Sequence, residues 1–457
     1  MEKTVAAIST AVGSSGIGIV RISGPQAMEI ISKIYRPAKQ GKEIKKVPTH
    51  TIHYGYIYDH EEPVDEVLVM VMRAPHSYTG EDTVEIDCHG GIRSVRNILQ
   101  TVLEAGAELA APGEFSKRAF LNGRMDLSQA EAVMDLIQAK NDHALQNSLR
   151  QLKGSLRTVI EKIRADILYE TAFIESALDD PEHISLEGYS AKLKPKLEEM
   201  IQRLEHLIRT SEDGKMIREG IRTVILGKPN AGKSSLMNRL LGEERAIVTD
   251  IPGTTRDILE EYIHLDGITL RIVDTAGIRK TEDTVERIGV ERAREMAGRA
   301  DLLLYVVDSS SPLDENDREI LSILDNRKAV VLYNKTDLDP AVDMELIRRE
   351  TEKPVIPVSA KEGTGISLLQ DTIREMFFSG EVSMEEEIYI TNARHTDLLT
   401  KAEKSLENVL EAVIGDLPED LYTVDLMDAY ENLGYITGEA VEEDLINEIF
   451  SRFCVGK

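Results

Sequence analysis

The chain of 457 residues contains no tryptophan, two cysteines and only 5% aromatic residues. Two cysteines, Cys88 and Cys454, make no disulfide framework, and that scarcity points to a reducing compartment. With so few rings, the core is expected to rest on helices rich in Leu, Ile and Ala. Long apolar runs are missing too. The longest, LLLYVV at 302–307, is far short of the ~20 residues that a membrane helix needs. The opening MEKTVAAISTAVGSSG lacks an apolar segment of signal-peptide length. A cytoplasmic protein without membrane association is the expectation. Basic charge is also scarce: 54 Lys and Arg face 81 Asp and Glu, a net charge of −27. Tight non-specific binding to nucleic acid requires cations that displace phosphate counterions, so this chain is not expected to provide it alone. A local basic patch or a basic partner stays compatible with the composition.

What is present falls into several regions, too long for one compact core. Residues 1 to about 118 read as mixed α and β. HTIHYGYIYD (50–59), VDEVLVMVMR (64–73) and DTVEIDCHGG (82–91) have strand character, and IRSVRNILQTVLEAGA (92–107) has a helical face. The CHGG at Cys88 and His89 is read as a turn after a strand, because no G-x-S-x-G accompanies it. From 127 to about 217 the period is helical. Leu145, Leu149, Leu152, Leu156, Val159 and Ile163 form a seam at coiled-coil spacing. DDPEHI (179–184) breaks the helix before KLKPKLEEMIQRLEHLI. Strands and helices alternate from about 221 to 378, and MEEEI (384–388) reads as a solvated link. Helices then return to the end. Helices on both sides of an α/β block predict an insertion, with the flanks packing together.

The α/β block carries the chemistry. RTVILGKPNAGKSSLMNRLL (222–241) is strand, glycine loop and helix, and its GKPNAGKS fits the phosphate-loop pattern. Gly227 and Gly232 let backbone N–H groups close around phosphate, Lys233 supplies a point charge, and Ser234 offers its hydroxyl to Mg²⁺. Asn230, Ala231 and Ser235 complete the expected loop contacts. TLRIVDTAG (269–277) ends a strand in Asp274, for the Mg²⁺ water shell, followed by Thr275, Ala276 and Gly277 beside the γ-phosphate. In NKTD (334–337), Asp337 can accept both N1–H and N2–H₂ of guanine, a donor pair that adenine lacks. Asn334 can bond the other edge of the base, and Lys335 can lie across the ring. SAK (359–361) brings Ser359, Lys361 and the Ala360 N–H toward guanine O6. Four motifs in order predict GTP binding.

Hydrolysis needs more. The residue after DTAG is Ile278, which cannot orient water. Arg256 and Arg279 are candidate fingers, although a switch or surface contact suits each as well. Another solution is a monovalent cation: Asn230 can give it a carbonyl oxygen, and TDIPGTTRD (249–257) can fold over it with further oxygens. In that stretch Thr255 is the expected switch threonine on Mg²⁺. The water then needs a carboxylate from RKTEDTVERIGVERA.

GKPNAGKSS, DIPGTTRD, DTAGIRKTEDTVERIG, NKTD, the flanking helices and the terminal CVGK together resemble the tRNA modification GTPase family MnmE, also called TrmE. The resemblance implies a multidomain α/β and α+β chain. It would have an N-terminal tetrahydrofolate-binding-like α+β domain over 1–118, a discontinuous helical bundle over 119–217 and 380–457, and an inserted Ras-like phosphate-loop GTPase domain over 218–379. It also implies K⁺ held by Asn230, Thr249, Ile251 and Thr254, with Asp250, Pro252 and Gly253 in the same nucleotide-covering loop, and Glu286 orienting the water. A folate derivative, in its 5-formyl or methylene form, would meet Arg21, Glu81, Arg124 and Lys457, and many relatives carry Lys where Arg124 stands. The implied partners are a second copy through the GTPase domains, the flavin-dependent MnmG (GidA) in a heterotetramer or larger assembly, and tRNA modified at carbon 5 of the wobble uridine. A ribosome-assembly GTPase that binds rRNA is the alternative, though it calls for a basic RNA-binding module. For Cys454, CVGK makes a poor prenylation signal. Two readings stand: a small residue closing the last helix, or a reactive thiol beside Lys457.

Overall fold

The computed structural model describes residues 3–39, 41, 43–243, 261–265, 268–273, 294–295, 297–377, 388–439 and 441–457. The chain divides into two compact units. One comprises residues 1–134, 151–179 and 426–457; the other comprises 135–150 and 180–425.

The first unit is built on a seven-stranded sheet of order β3-β4-β5-β6-β2-β1-β7. Its strands are β1 (Val5–Ile8), β2 (Gly18–Ser23), β3 (Tyr35–Pro37), β4 (Thr51–Asp59), β5 (Glu62–Met72), β6 (Thr83–Cys88) and β7 (Glu108–Leu109). Alternation sets the faces: His53, Gly55 and Ile57 of β4 point inward while Ile52 and Tyr54 are exposed. Gly55 is required there, because a Cβ would lie 2.4 Å from the Arg36 carbonyl. Helices α1 (Ala27–Ile34) and α2 (Ile92–Glu104) bury Ile30, Ile31, Val95, Ile98 and Val102 in one core with Val20, Ile22, Val69, Val84 and Ile86. The expected strands at 50–59, 64–73 and 82–91 and the helix after them are all present.

Two further elements of this unit bear on its site: α3 (Glu114–Leu121) and the start of α4 (Leu127–Gln138). Phe120, Met125, Leu127 and Val133 pack with Phe450 and Phe453, so the end of the chain is seated by apolar contact. The expected seam does not run through. It breaks between α5 (Asp142–Leu152) and α6 (Ser155–Asp179) at Gly154, whose φ is +87°. Leu145 and Leu149 are exposed, and beyond the break Ile160, not Val159, is buried with Leu156 and Ile163. A glycine in the left-handed region resets the helical phase, so a heptad count cannot be carried across it. Helix α6 stops one residue before the Asp180–Pro181 pair, as expected.

The second unit holds α7 (Tyr189–Glu219) and a six-stranded sheet of order β13-β12-β11-β8-β10-β9. The strands are β8 (Ile221–Leu226), β9 (Glu261–Leu265), β10 (Ile268–Ile272), β11 (Leu302–Asp308), β12 (Ala329–Asn334) and β13 (Val355–Pro357). All neighbours pair in parallel except β9 with β10. LLLYVV and AVVLYN are buried throughout because helices cover both faces of such a sheet. The helices described here are α8 (Lys233–Glu243), α9 (Glu315–Ile323), α10 (Met344–Glu350) and α11 (Ile366–Phe377). Beyond the block come α12 (Ala393–Ile414), α13 (Asp420–Thr437) and α14 (Glu443–Ser451).

Within each unit, helices from before and after the α/β block touch. In the second unit α7 packs along α12, and Gly214 of α7 admits the Ile390 backbone so closely that a Cβ would sit 2.2 Å from its carbonyl. In the first unit Arg164 of α6 makes a bidentate pair with Glu439 at 2.6 and 2.7 Å. MEEEI at 384–388 lies outside the described residues except for Ile388. No helix among the described residues is long and apolar enough to cross a membrane.

Candidate functional site

In the second unit the C-terminal ends of three parallel strands converge, the usual place for a ligand in an open α/β sheet. Asn334 ends β12 and is 1% exposed. Its Nδ2 donates to the Ala231 carbonyl at 2.8 Å and its Oδ1 accepts from the Ala360 N–H at 3.1 Å. One side chain thus joins the glycine loop to the SAK loop. Beside the expected part at the base edge, Asn334 has a positioning part. Asp337 accepts from Ser359 Oγ at 2.8 Å, and Lys361 Nζ lies 3.9 Å from it. The Ser359 hydroxyl holds the Asp337 carboxyl below the usual carboxylate range, so it is an ionised acceptor at neutral pH. Lys335, expected across the base, reaches Asp308 Oδ2 at 2.5 Å. Burial pushes the Asp308 carboxyl up, but hydrogen bonds from Lys335 and Ser310 outweigh it and the net shift is downward.

The glycine loop between β8 and α8 has the shape that phosphate requires. Gly227 and Gly232 have φ of +148° and +99°, and a Cβ would meet the Val306 carbonyl at 2.5 Å or Asn334 Nδ2 at 2.1 Å. Asn230 also sits in the left-handed region, at φ +62°. Lys233 donates to the carbonyls of Gly227 at 2.7 Å and Lys228 at 2.5 Å, and burial lowers its pKa. Ser234 and Ser235 are exposed in the first turn of α8, where the helix dipole favours an anion. A half-buried cation among carbonyls, two glycines that exclude a side chain, and a helix N-terminus fit a polyphosphate. Thr249, Asp250, Ile251, Pro252, Gly253, Thr254, Thr255, Arg256, Asp274, Thr275, Ala276, Gly277, Ile278, Arg279 and Glu286 lie outside the described residues.

Comparison with known proteins gives the context. The family model of the MnmE helical domain matches residues 127–454, and that of the GTP-binding protein TrmE N-terminus matches 4–124. A protein of Lachnoclostridium phytofermentans named tRNA modification GTPase MnmE is 55% identical over 454 residues, 99% of each chain. Proteins of the same name from Geobacillus kaustophilus and Bacillus subtilis are 49% and 47% identical, covering 99% of this chain and 99% and 100% of theirs. The chain belongs to the MnmE family.

The MnmE resemblance also named four residues in the first unit, and three converge. The guanidinium of Arg21 lies 5.3 Å from the Tyr78 ring centroid, that of Arg124 5.5 Å, and the Lys457 ammonium 5.7 Å. Arg21 also faces the Phe115 ring at 5.3 Å, is paired with Glu85 at 2.7 Å, and donates to the Gly456 carbonyl at 3.3 Å. Gly456, at φ +93°, threads against β1 where a Cβ would lie 2.3 Å from the Ile8 carbonyl. That close approach explains the glycine of CVGK and brings Lys457 to Tyr78. Burial, with Arg21 adding like charge, lowers the Lys457 pKa. Three cations around one ring fit a planar ligand that carries negative charge. Glu81, the fourth, is held within the same unit. Both its oxygens accept from Arg118 at 3.1 Å, and Ser23 adds a bond at 2.7 Å. Cys454 is exposed, and its carbonyl accepts from Gly113 N–H at 3.4 Å. It therefore does not close the last helix as a packed residue; Phe453 does that.

Sequence reasoning missed Tyr78, Phe115, Glu85 and Arg118 in the first unit, and Asp308 in the second. Asp308 did carry a signal, since it ends a parallel strand in register with Asn334. The others are single residues without a local motif.

Proposed function

We propose that this chain is a K⁺-stimulated GTP hydrolase that, with a flavin-dependent partner of the MnmG kind, modifies carbon 5 of the wobble uridine of certain tRNAs. The observation that carries the GTPase part is the Asn334 bridge, which holds the glycine loop and the guanine-reading loop as one site beside an ionised Asp337. The full-length likeness to tRNA modification GTPases supports the tRNA part and leaves an rRNA-binding role without support.

In this reading Ser234 and Thr255 hold Mg²⁺, with Asp274 in its water shell. Asn230, Thr249, Ile251 and Thr254 hold K⁺, which supplies positive charge where an arginine finger would otherwise act. Glu286 orients the attacking water. The site around Tyr78 takes the one-carbon folate through Arg21, Glu81, Arg124 and Lys457. Residues 1–118 form the folate-binding domain, 218–379 the GTPase domain, and 119–217 with 380–457 the helical domain. The protein works in the cytoplasm as a homodimer, with Cys454 as an exposed thiol near the folate.

The test is GTP turnover in K⁺ and in Na⁺ at matched ionic strength. Stimulation by K⁺, lost in Glu286→Ala while GTP still binds, is the expected result. Equal rates in the two salts would remove the cation mechanism and return attention to Arg256 and Arg279.

A further inference from the structure

We infer that Lys228 is a positioning residue for GTP hydrolysis: its ammonium, anchored by Asp314 and Asp317 at the start of α9, fixes the entry half of the glycine loop. The inference rests on the phosphate-loop reading of the same site. The exit half of that loop is already held, through Ala231, by Asn334. The entry half needs its own restraint, because Pro229 and Asn230 are exposed and Asn230 sits at φ +62°.

Lys228 provides it. Its Nζ lies 2.7 Å from Asp314 Oδ2 and contacts Asp317 Oδ2. Asp317 is 4% exposed and fully engaged: it accepts from the Tyr305 hydroxyl at 2.6 Å and the Asp314 N–H at 2.9 Å, besides Lys228. Tyr305 is itself buried in the centre of β11. Asp314 returns a bond to the Asp317 N–H at 3.1 Å, closing a capping box on α9. Lys228 therefore meets carboxylates whose positions other bonds also hold. Two carboxylates on one ammonium also keep that ammonium away from phosphate, in contrast to Lys233 five residues on.

The two lysines act in sequence. Lys233 Nζ now bridges the carbonyls of Gly227 and Lys228. A phosphate would compete for that ammonium, and the Lys228 tether holds the same stretch of backbone independently of it. Pro229, with its fixed φ, passes the restraint to Asn230. Lys228 touches no reacting atom, and its effect should fall on the hydrolytic step more than on GDP binding. GDP binding draws on Lys233, the α8 N-terminus, Asn334 and Asp337.

The experiment uses the full chain with three substitutions: Lys228→Met, Lys228→Arg and Asp314→Asn. Fluorescent methylanthraniloyl-GDP reports binding, and multiple-turnover hydrolysis gives kcat and KM. For Lys228→Met, GDP affinity within about threefold of the parent and a kcat lower by about tenfold or more are expected. Lys228→Arg, which keeps the charge and can bridge both carboxylates, should restore kcat to within about 1.5-fold. Asp314→Asn leaves the buried partner in place and should lower kcat by about threefold. An unchanged kcat in folded Lys228→Met would overturn the inference. So would parallel loss of GDP affinity and kcat in both Lys228 variants, since that describes a scaffold residue only. Should Lys228→Met fail to fold, unchanged kcat in Asp314→Asn would overturn it as well. A parent protein unable to bind the GDP probe would remove the site reading and this inference with it.

Discussion

The two units build anion-facing sites from the same ingredients in opposite ways. In the second unit the polar groups are bound to one another: Asn334 spans two loops, Ser359 holds Asp337, and Asp308 holds Lys335. In the first unit three cations surround one aromatic ring, and Arg21 is paired with Glu85 at 2.7 Å. On the proposed reading the guanine site is thus pre-organised by hydrogen bonds among its own groups. The Tyr78 site relies on charge and stacking, which tolerate variation in the ligand's outline. Selectivity should accordingly be sharp in one unit and graded in the other.

The largest expected effect breaks the sharp site. Asp337→Asn replaces an acceptor pair with one acceptor and one donor, which leaves a guanine N–H facing a donor. GTP should lose roughly 10²-fold or more in kcat/KM, because a buried polar mismatch is penalised more than a missing contact. Xanthosine triphosphate, with an oxygen where guanine has N2–H₂, should gain. Competition assays with GTP, ATP and xanthosine triphosphate check this, and retention of GTP preference would mean that Asp337 does not read the base.

A smaller effect is expected at the graded site. Tyr78→Leu or Arg21→Gln should weaken 5-formyltetrahydrofolate by about 10- to 100-fold, the scale of one charged hydrogen bond or one cation–π group. Isothermal titration of the full chain measures it. Arg124→Lys should cost less, since the charge is kept and only the guanidinium plane is lost. If all three substitutions left folate affinity unchanged, the cation cluster would be a structural device for docking the end of the chain.

The same contrast governs what the sequence discloses. The expected nucleotide site is written in four short motifs because consecutive residues at strand ends would share one ligand, so GKPNAGKS, DTAG, NKTD and SAK are legible without a structure. The Tyr78 site collects Arg21, Tyr78, Arg124 and Lys457 from over 430 residues of chain. No local spacing records that meeting; resemblance supplied the four named charges, and the ring they share was not foreseen. Glu81 adds a second case: its pairing with Arg118 is recorded by no local spacing. The helical seam failed for a different reason. Periodicity reads phase within one helix, and Gly154 ends that phase while leaving the composition helical. Lys228 illustrates a third case. Its place inside a known motif was legible, but the partners that give it meaning, Asp314 and Asp317, lie more than 80 residues away in a region without a motif.

The smallest predicted effect sharpens the comparison through two lysines. Lys233 and Lys457 are each buried enough to lower their pKa below 10.5, the first by burial alone, the second by burial with Arg21 adding to it. A lysine with a lowered pKa binds fewer protons in the folded than in the unfolded chain between that lowered value and 10.5. Stability therefore rises with pH inside this window, while at neutral pH the cost of the buried charge is present in full. Arg21→Gln should raise the Lys457 pKa by removing like charge and leave Lys233 where it is. An anionic ligand should raise each lysine only in its own unit: GDP for Lys233, folate for Lys457. Titration of ¹³C-methylated lysines by NMR follows both groups in one sample. Movement of both resonances with a single ligand would show that the two sites are coupled, and the separation drawn between a pre-organised and an adaptable anion site would then have to be replaced by one shared electrostatic response.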